Sequence, residues 1–567
     1  MLTTARPEDP AAGGRRKPAA SEHRSTRKEA AFMENGFRIG RLVHTITPPD
    51  ILVKENEEVG LTHFDMHTVR GGCEASEEEM LGFIELCRRK KWTFAINVEG
   101  RPMGWMAPPR VLAAAKESGR CLGIVFDECD HNQIDIHVKW KSNRFDGIHY
   151  FAETEGMTLD EAYEAVLQAA TQKRRKYDQA GVGPVMSEHL YPAMMHLLAR
   201  AGFAICPKIL KETWGPLMLA AALGAARQYD RDLWVCVDEW WHDQWLGHPM
   251  NRYRSALLMA YWIGASGIVT EGGDLFKRHN GLAIPESVPA SPAEYIDLYT
   301  RNIVLSQQGS IVQKFANDYA PDNPRPYTFR DVRPTAAIIR FDDTCFDTRQ
   351  RIASESPGPL YGHIPAEEVN AEWLTIWNYL TYGHVRTDCL THNWETKLPA
   401  SRSLFLPLNN VVVYDHLVSE ELLDGIDWLF LSGHEIPEET LQAVGTRVRA
   451  GATCLTPARF LPASARAQKW DDVTIIGDGA GRWVVPRHWY SLHHEPWTNG
   501  PADRTLREAL EGSRGPEDRM QYVFGDSCLR VKMINGSPDD LEYTVVPADR
   551  FAQRPADPAT AGILRWF

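Results

Sequence analysis

The sequence has no Cys-x-x-Cys pair, no Gly-x-Gly-x-x-Gly loop and no basic stripe interleaved with aromatic residues. It also has no secretory-type apolar segment near its start. Its longest apolar stretch, Ser255 to Val269, is about 15 residues and is broken by Gly264 and Gly267, too short for a membrane-spanning helix. The ten cysteines are scattered, several of them inside apolar runs, so they read as reduced core residues rather than a disulfide framework. Positive charge is scarce as well: 75 acidic residues face 62 basic ones. The first 32 residues carry seven Lys/Arg against four Asp/Glu, and without that surplus of three the body stands at −16. An acidic body repels phosphate backbones, which sets nucleic acid aside as a partner.

What is present is ordinary globular material. Of 567 residues, 43% are hydrophobic and 24% charged, enough to bury a sizeable core in several domains. Residues 1–33 are rich in Ala, Arg, Pro, Glu and Ser without apolar periodicity, and read as a disordered tail. From about residue 37 to 275 short apolar runs alternate with longer amphipathic ones. The expected strands are 38–46, 61–68, 93–98, 121–126, 183–186, 203–206, 233–237 and 267–270. Helices fall between them, including 76–89, opened by Ser76 with Glu79 three residues on, 159–180 and 216–229, with a last one at 293–305. Eight strands with intervening helices make a (β/α)8 TIM barrel over residues 34–330. A second register starts at Leu61 and takes 336–339 as the eighth strand.

Beyond Pro334 the pattern changes to a strand at 335–340, a helix at 371–382, a strand at 428–431 and an acidic-capped helix at 437–450. This predicts a Rossmann-like α/β domain over 331–465, to which no nucleotide is assigned. Short alternating runs around an Asn535-Gly536 turn predict a small β domain over 466–567.

Active sites of such barrels lie at the C-terminal strand ends. Here those ends carry Asp65 and His67, Glu99, Asp127 and Glu128, Glu188, Lys208, Asp238 and Glu239, and Glu271. Chance would put an acid at a given position about one time in eight, so acids after six strands point to a carboxylate-lined site. Trp240 and Trp241 stand beside them and offer flat faces to sugar rings, as do Trp105, Tyr191, Trp214 and Trp245. Paired carboxylates with aromatic platforms suggest glycoside hydrolysis, which needs one acid to protonate the leaving oxygen and one carboxylate to attack or to activate water.

The domain order, with the stretch LLDGIDWLFLSGHEIPEETLQAVGTRVRAGATCLTP as its most specific part, resembles clan A glycoside hydrolases, nearest to the family 42 β-galactosidases. The resemblance implies a glutamine-amidotransferase-like second domain, a retaining mechanism, an Asn-Glu acid/base pair after strand four and a Glu nucleophile after strand seven. In the first register these positions hold Glu128 and Glu239; in the second they hold Glu188 and Glu271. Asp127 stands where that pattern has Asn, which leaves an inverting enzyme open. Asp65, His67, Glu99, Asp127, Lys208, Asp238, Trp240 and Trp241 are expected to bind a neutral oligosaccharide or glycoside. No cofactor is expected, the location is expected to be cytoplasmic, and the resemblance implies a homo-oligomer. Two alternatives stand beside this reading: a metal-dependent hydrolase using His63, Asp65 and His67, whose spacing on a strand points them to one face, and a silent sugar-binding protein.

Overall fold

The computed structural model describes residues 37–44, 47, 49–70, 73–98, 101, 104–134, 151–210, 215–239, 248–272, 275–278, 303–342, 360–365, 367–385, 404–465, 471–487, 501–550 and 563–564. The expected tail at 1–33 and the expected helix start at 293 lie outside them. Residues from Phe37 onward form one compact unit.

Eight parallel strands close into a barrel: β1 (Arg38–His44), β2 (His63–His67), β3 (Thr93–Asn97), β4 (Cys121–Phe126), β5 (Val185–His189), β6 (Ala204–Ile209), β7 (Trp234–Asp238) and β8 (Gly267–Glu271). β1 pairs with both β2 and β8, so the register that begins at residue 38 is the one the chain adopts. Each strand hands over to a helix: α1 (Pro49–Lys54), α2 (Glu77–Lys90), α3 (Pro109–Ser118), α4 (Leu159–Ala180), α5 (Met195–Ala201), α6 (Gly215–Tyr229), α7 (Met250–Trp262) and α8 (Gln307–Lys314). The helix expected to end at Leu305 is displaced: Ile303–Leu305 is a short strand, and the eighth helix begins after a Ser306 cap, whose hydroxyl accepts the Gly309 N–H. Local chemistry explains the better-placed ends. Ser76 and Thr158 each close a capping box with a Glu three residues on, and Gly181 ends α4 in the left-handed conformation.

At the barrel floor the His63 and Trp234 rings meet with centroids 5.0 Å apart. Gly267 makes room for them, since a β-carbon there would stand 2.4 Å from the Trp234 ring.

The second domain is a six-stranded sheet holding β9 (Ala336–Arg340), β10 (Val411–Asp415), β11 (Trp428–Ser432), β12 (Thr453–Leu455), β13 (Val473–Asp478) and β14 (Gly481–Pro486), ordered β10-β9-β11-β12-β14-β13. Its last two strands carry the sheet past the expected boundary at 465. The alternative eighth barrel strand, 336–339, therefore belongs to this sheet. The domain uses the barrel's own helices as one of its layers. Gly224 of α6 approaches β10 so closely that a β-carbon would reach within 1.5 Å of the Val413 carbonyl oxygen, and the His196 imidazole of α5 bonds that same oxygen at 2.9 Å.

A four-stranded antiparallel sheet ends the fold: β15 (Arg519–Phe524), β16 (Ser527–Ile534), β17 (Ser537–Pro547) and β18 (Ile563–Leu564). Its β16–β17 hairpin turns at Asn535-Gly536, both with positive φ, as a tight hairpin turn requires. The hairpin grips α7 through Arg252–Asp539 and Arg254–Asp540 ion pairs, and the Tyr543 hydroxyl donates to the Ser255 carbonyl. Among the described residues no helix is long and apolar enough to cross a membrane.

Candidate active site

Side chains alternate across a strand, so each barrel strand sends every second residue inward. The identity of the inward set follows from Lys208 near the end of β6. Its side chain is fully buried, and its ammonium lies 2.8 Å from Asp127, 3.4 Å from Glu128, 3.7 Å from Glu188, 4.0 Å from Asp238 and 2.5 Å from Glu271. These carboxylates come from the ends of β4, β5, β7 and β8, and only the lumen can bring them to one nitrogen. Among the described residues, the C-terminal layer of the barrel is thus a ring of acids around Lys208.

A lysine ammonium has three protons and cannot serve five carboxylates. Its directed hydrogen bonds go to Glu271 Oε2 and Glu128 Oε1, while the Asp127, Glu188 and Asp238 contacts are ion pairs. Part of the remaining charge is relieved at Glu188. Burial, with Asp127 beside it, holds the Glu188 carboxyl well above the ordinary carboxylate range, against the opposing pull of Lys208. Lys208 is driven the other way. Burial by itself would weaken its hold on the proton, but Asp127, Glu271, Glu128 and Glu188 together push its pKa well above the usual lysine value. An amine held so firmly as the ammonium is not a nucleophile. Lys208, expected to bind substrate, lies fully enclosed among these carboxylates.

Two members of the ring keep solvent access, Glu128 with 15% and Glu271 with 18% of the side chain exposed. Their oxygens lie 3.4 and 2.5 Å from one nitrogen, hence at most 5.9 Å from each other. Glu128 follows β4 in the left-handed conformation (φ 48°), a costly one for a glutamate, of the kind that collects at functional sites. Asp127 also accepts from the Asn97 amide of β3 at 3.4 Å.

Glu239 is placed differently from the expectation that paired it with Glu128. Its side chain accepts the His248 N–H at 2.8 Å, just ahead of α7, and the Arg252 guanidinium of that helix is among the groups that act on it. Burial pushes its pKa up to about 8. Asp238 beside it faces Lys208, so alternation turns Glu239 to the outer side of the barrel wall.

One layer below the ring, Asp65 Oδ1 bonds His63 Nε2 at 2.8 Å, and His63 Nδ1 meets the Thr93 hydroxyl at 3.1 Å. Asp65 and His67 are both buried. Among the described residues, His63, Asp65 and His67 do not bring three ligand atoms onto one point. Asp127, Glu188 and Glu271 do, within 4.8 Å, but the cation among them is Lys208. Ser187, His189 and Asp130 line up as hydroxyl, imidazole and carboxylate at 2.8 and 3.5 Å. All three are fully buried, and Ser187 and His189 alternate with the inward Glu188, so this relay packs the outer face of β5. Glu99, Trp214, Trp240, Trp241 and Trp245 lie outside the described residues. Trp105 stacks on the Arg101 guanidinium at 4.6 Å, and Tyr191 is buried.

No protein-family model matches the chain, and no curated protein matches it in sequence. Solved structures resemble it in part. An exo-β-1,4-mannosidase, Op5Man5 from Opitutaceae bacterium strain TAV5, is 11% identical and aligns over 84% of this chain and 95% of its own, with a TM-score of 0.41. A glycoside hydrolase family 30 subfamily 8 xylanase, Xyn30A from Clostridium acetobutylicum, is 10% identical over 50% of this chain and 71% of its own, at 0.28. An HpcH/HpaI aldolase from Desulfitobacterium hafniense DCB-2 is 12% identical over 43% and 89%, at 0.25.

Proposed function

We propose that the chain is a glycoside hydrolase that works with Glu128 and Glu271 at the C-terminal face of its barrel. The observation that carries this reading is the convergence of two solvent-accessible carboxylates, their Lys208-facing oxygens at most 5.9 Å apart, on one buried ammonium. Retaining glycosidases hold their two carboxyls about 5–5.5 Å apart, whereas inverting ones leave about 6.5–9.5 Å for a water. We take the retaining course here, with both carboxyls drawn to one ammonium. Glu271, closest to the ammonium, takes the part of nucleophile: it attacks the anomeric carbon while Glu128 protonates the departing oxygen. Glu128 then draws a proton from water, which releases the sugar and returns Glu271 as a carboxylate.

The acids of the ring favour a neutral sugar over an anionic one, because Lys208, the cation seen in the ring among the described residues, is already engaged by carboxylates. The same reading takes the enzyme to act in the cytoplasm on oligosaccharides or glycosides and to self-associate, which light scattering checks against a 64.1 kDa monomer.

The test is hydrolysis of a panel of aryl glycosides and neutral oligosaccharides by wild type and by Glu128→Gln, Glu271→Gln, Glu188→Gln and Glu239→Gln. Loss of about a thousandfold or more is expected for the first two. Glu188→Gln should lose less, since Gln mimics a protonated carboxyl, and Glu239→Gln should stay within about tenfold of wild type. Product anomers followed by NMR should show retention. Collapse of Glu239→Gln with Glu271→Gln active would return the nucleophile to strand seven, and a wild type inert on every glycoside would end the reading.

A further inference from the structure

The layer of the lumen just beneath the acids contains two thiols on neighbouring strands. Cys206 of β6 lies with its sulfur 3.7 Å from Glu188 Oε1, and Cys236 of β7 with its sulfur 3.5 Å from Glu271 Oε2. Both are fully buried. The ordinary role of a buried cysteine is that of a small hydrophobe, which needs no particular neighbour. Cys236 differs in what it touches, because the oxygen it meets is the same Oε2 that Lys208 holds at 2.5 Å.

We propose that Cys236 is a positioning residue, its S–H donating to Glu271 Oε2 so that thiol and ammonium, from adjacent strands, together fix the plane of the attacking carboxylate. The catalytic meaning of this contact rests on the glycosidase reading above; the contact itself does not. One donor leaves a carboxylate able to swing about that bond, whereas two donors on one oxygen, approaching from β6 and β7, define its orientation. Attack on an anomeric carbon depends on such alignment, since small misplacements of a reacting group cost large factors in rate. The thiol keeps its proton in this setting: burial first, then Glu188 and Glu271, hold its pKa well above that of a free cysteine. It is therefore a donor and not a competing thiolate nucleophile.

The experiment has one part that needs no activity. Infrared spectra of the full chain locate the Cys236 S–H stretching band as the one that vanishes in Cys236→Ala. The band should sit at lower frequency than that of an unbonded thiol in wild type and move upward in Glu271→Gln, where an amide replaces the carboxylate. In the same preparations, Cys236→Ala should lower kcat about tenfold at nearly unchanged KM, the size expected for one hydrogen bond to a charged group, and Cys236→Ser, which keeps a donor, should recover most of it. Circular dichroism melts of both variants separate this from loss of fold. A band indifferent to Glu271→Gln overturns the proposal whatever the kinetics. A responsive band with wild-type kcat in Cys236→Ala removes the positioning role. A responsive band in a chain that hydrolyses no glycoside keeps the contact and rejects the glycosidase reading instead.

Discussion

The chain contains the dipeptide Asp-Glu at the end of two barrel strands, and the two copies meet different fates. At the end of β4, Asp127 and Glu128 both reach Lys208; at the end of β7, Asp238 reaches it and Glu239 does not. The backbone makes the difference. Glu128 lies beyond the last residue of β4 with φ at 48°, which breaks the alternation and brings a second side chain round to the lumen. Glu239 continues the ladder, its N–H donating to the Glu271 carbonyl at 2.8 Å, so the alternation persists and its carboxyl lands against the start of α7. Identical residues thus become part of a charged ring in one place and a buried helix-end acceptor in the other.

Three changes would test this division between inner and outer positions. The largest effect is expected inside, from Lys208→Met. Removing the cation leaves buried carboxylates uncompensated, at a loss of about 3–5 kcal/mol in denaturant unfolding. The loss should shrink as pH falls, because the carboxyls can then take up protons. An equal loss at pH 5 and pH 8 would mean that the ring is not held by charge.

The next concerns Glu239. A carboxyl whose folded pKa is raised from 4.5 to about 8 binds its proton more tightly in the fold than in the unfolded chain. Its contribution to stability is therefore fully present below about pH 4.5 and is lost as pH rises toward 8. Glu239→Gln should remove that slope and be more stable than wild type at pH 8 by about 2 kcal/mol, discounting the full shift for relaxation. Thermal melts from pH 4.5 to 8.5 would show it, and parallel curves for the two proteins would refute an enclosed, neutral Glu239. The smallest effect is expected from Ser187→Ala on the outer face of β5, about 1 kcal/mol for the lost His189 bond, with hydrolysis unchanged. A drop of a hundredfold in kcat at intact stability would show that the outer relay takes part in the chemistry.

Much of the barrel was legible because its signals are local. The Thr158 capping box and Gly181 bracket α4 at both ends, and the apolar runs of β3, β4 and β8 fall within two residues of the observed strands. Where the local signal is weak the expectation and the structure differ, as at the eighth helix, since Ile303–Leu305 suits either a strand or a helical turn. The sheet of the second domain also runs on to Pro486 because β14 pairs with β12 across a long excursion that no local pattern announces. The two thiols beneath the acids left no signal, being two cysteines among ten.

By itself the sequence determined eight strands, with acids at the ends of six of them. It could do so because strand periodicity and cap residues are written over a few neighbouring positions. Which acids share a cavity was decided by the tertiary structure. Facing in or out depends on the phase of each strand to a single residue, and Lys208 becomes the common partner of β4, β5, β7 and β8 only once the barrel has closed.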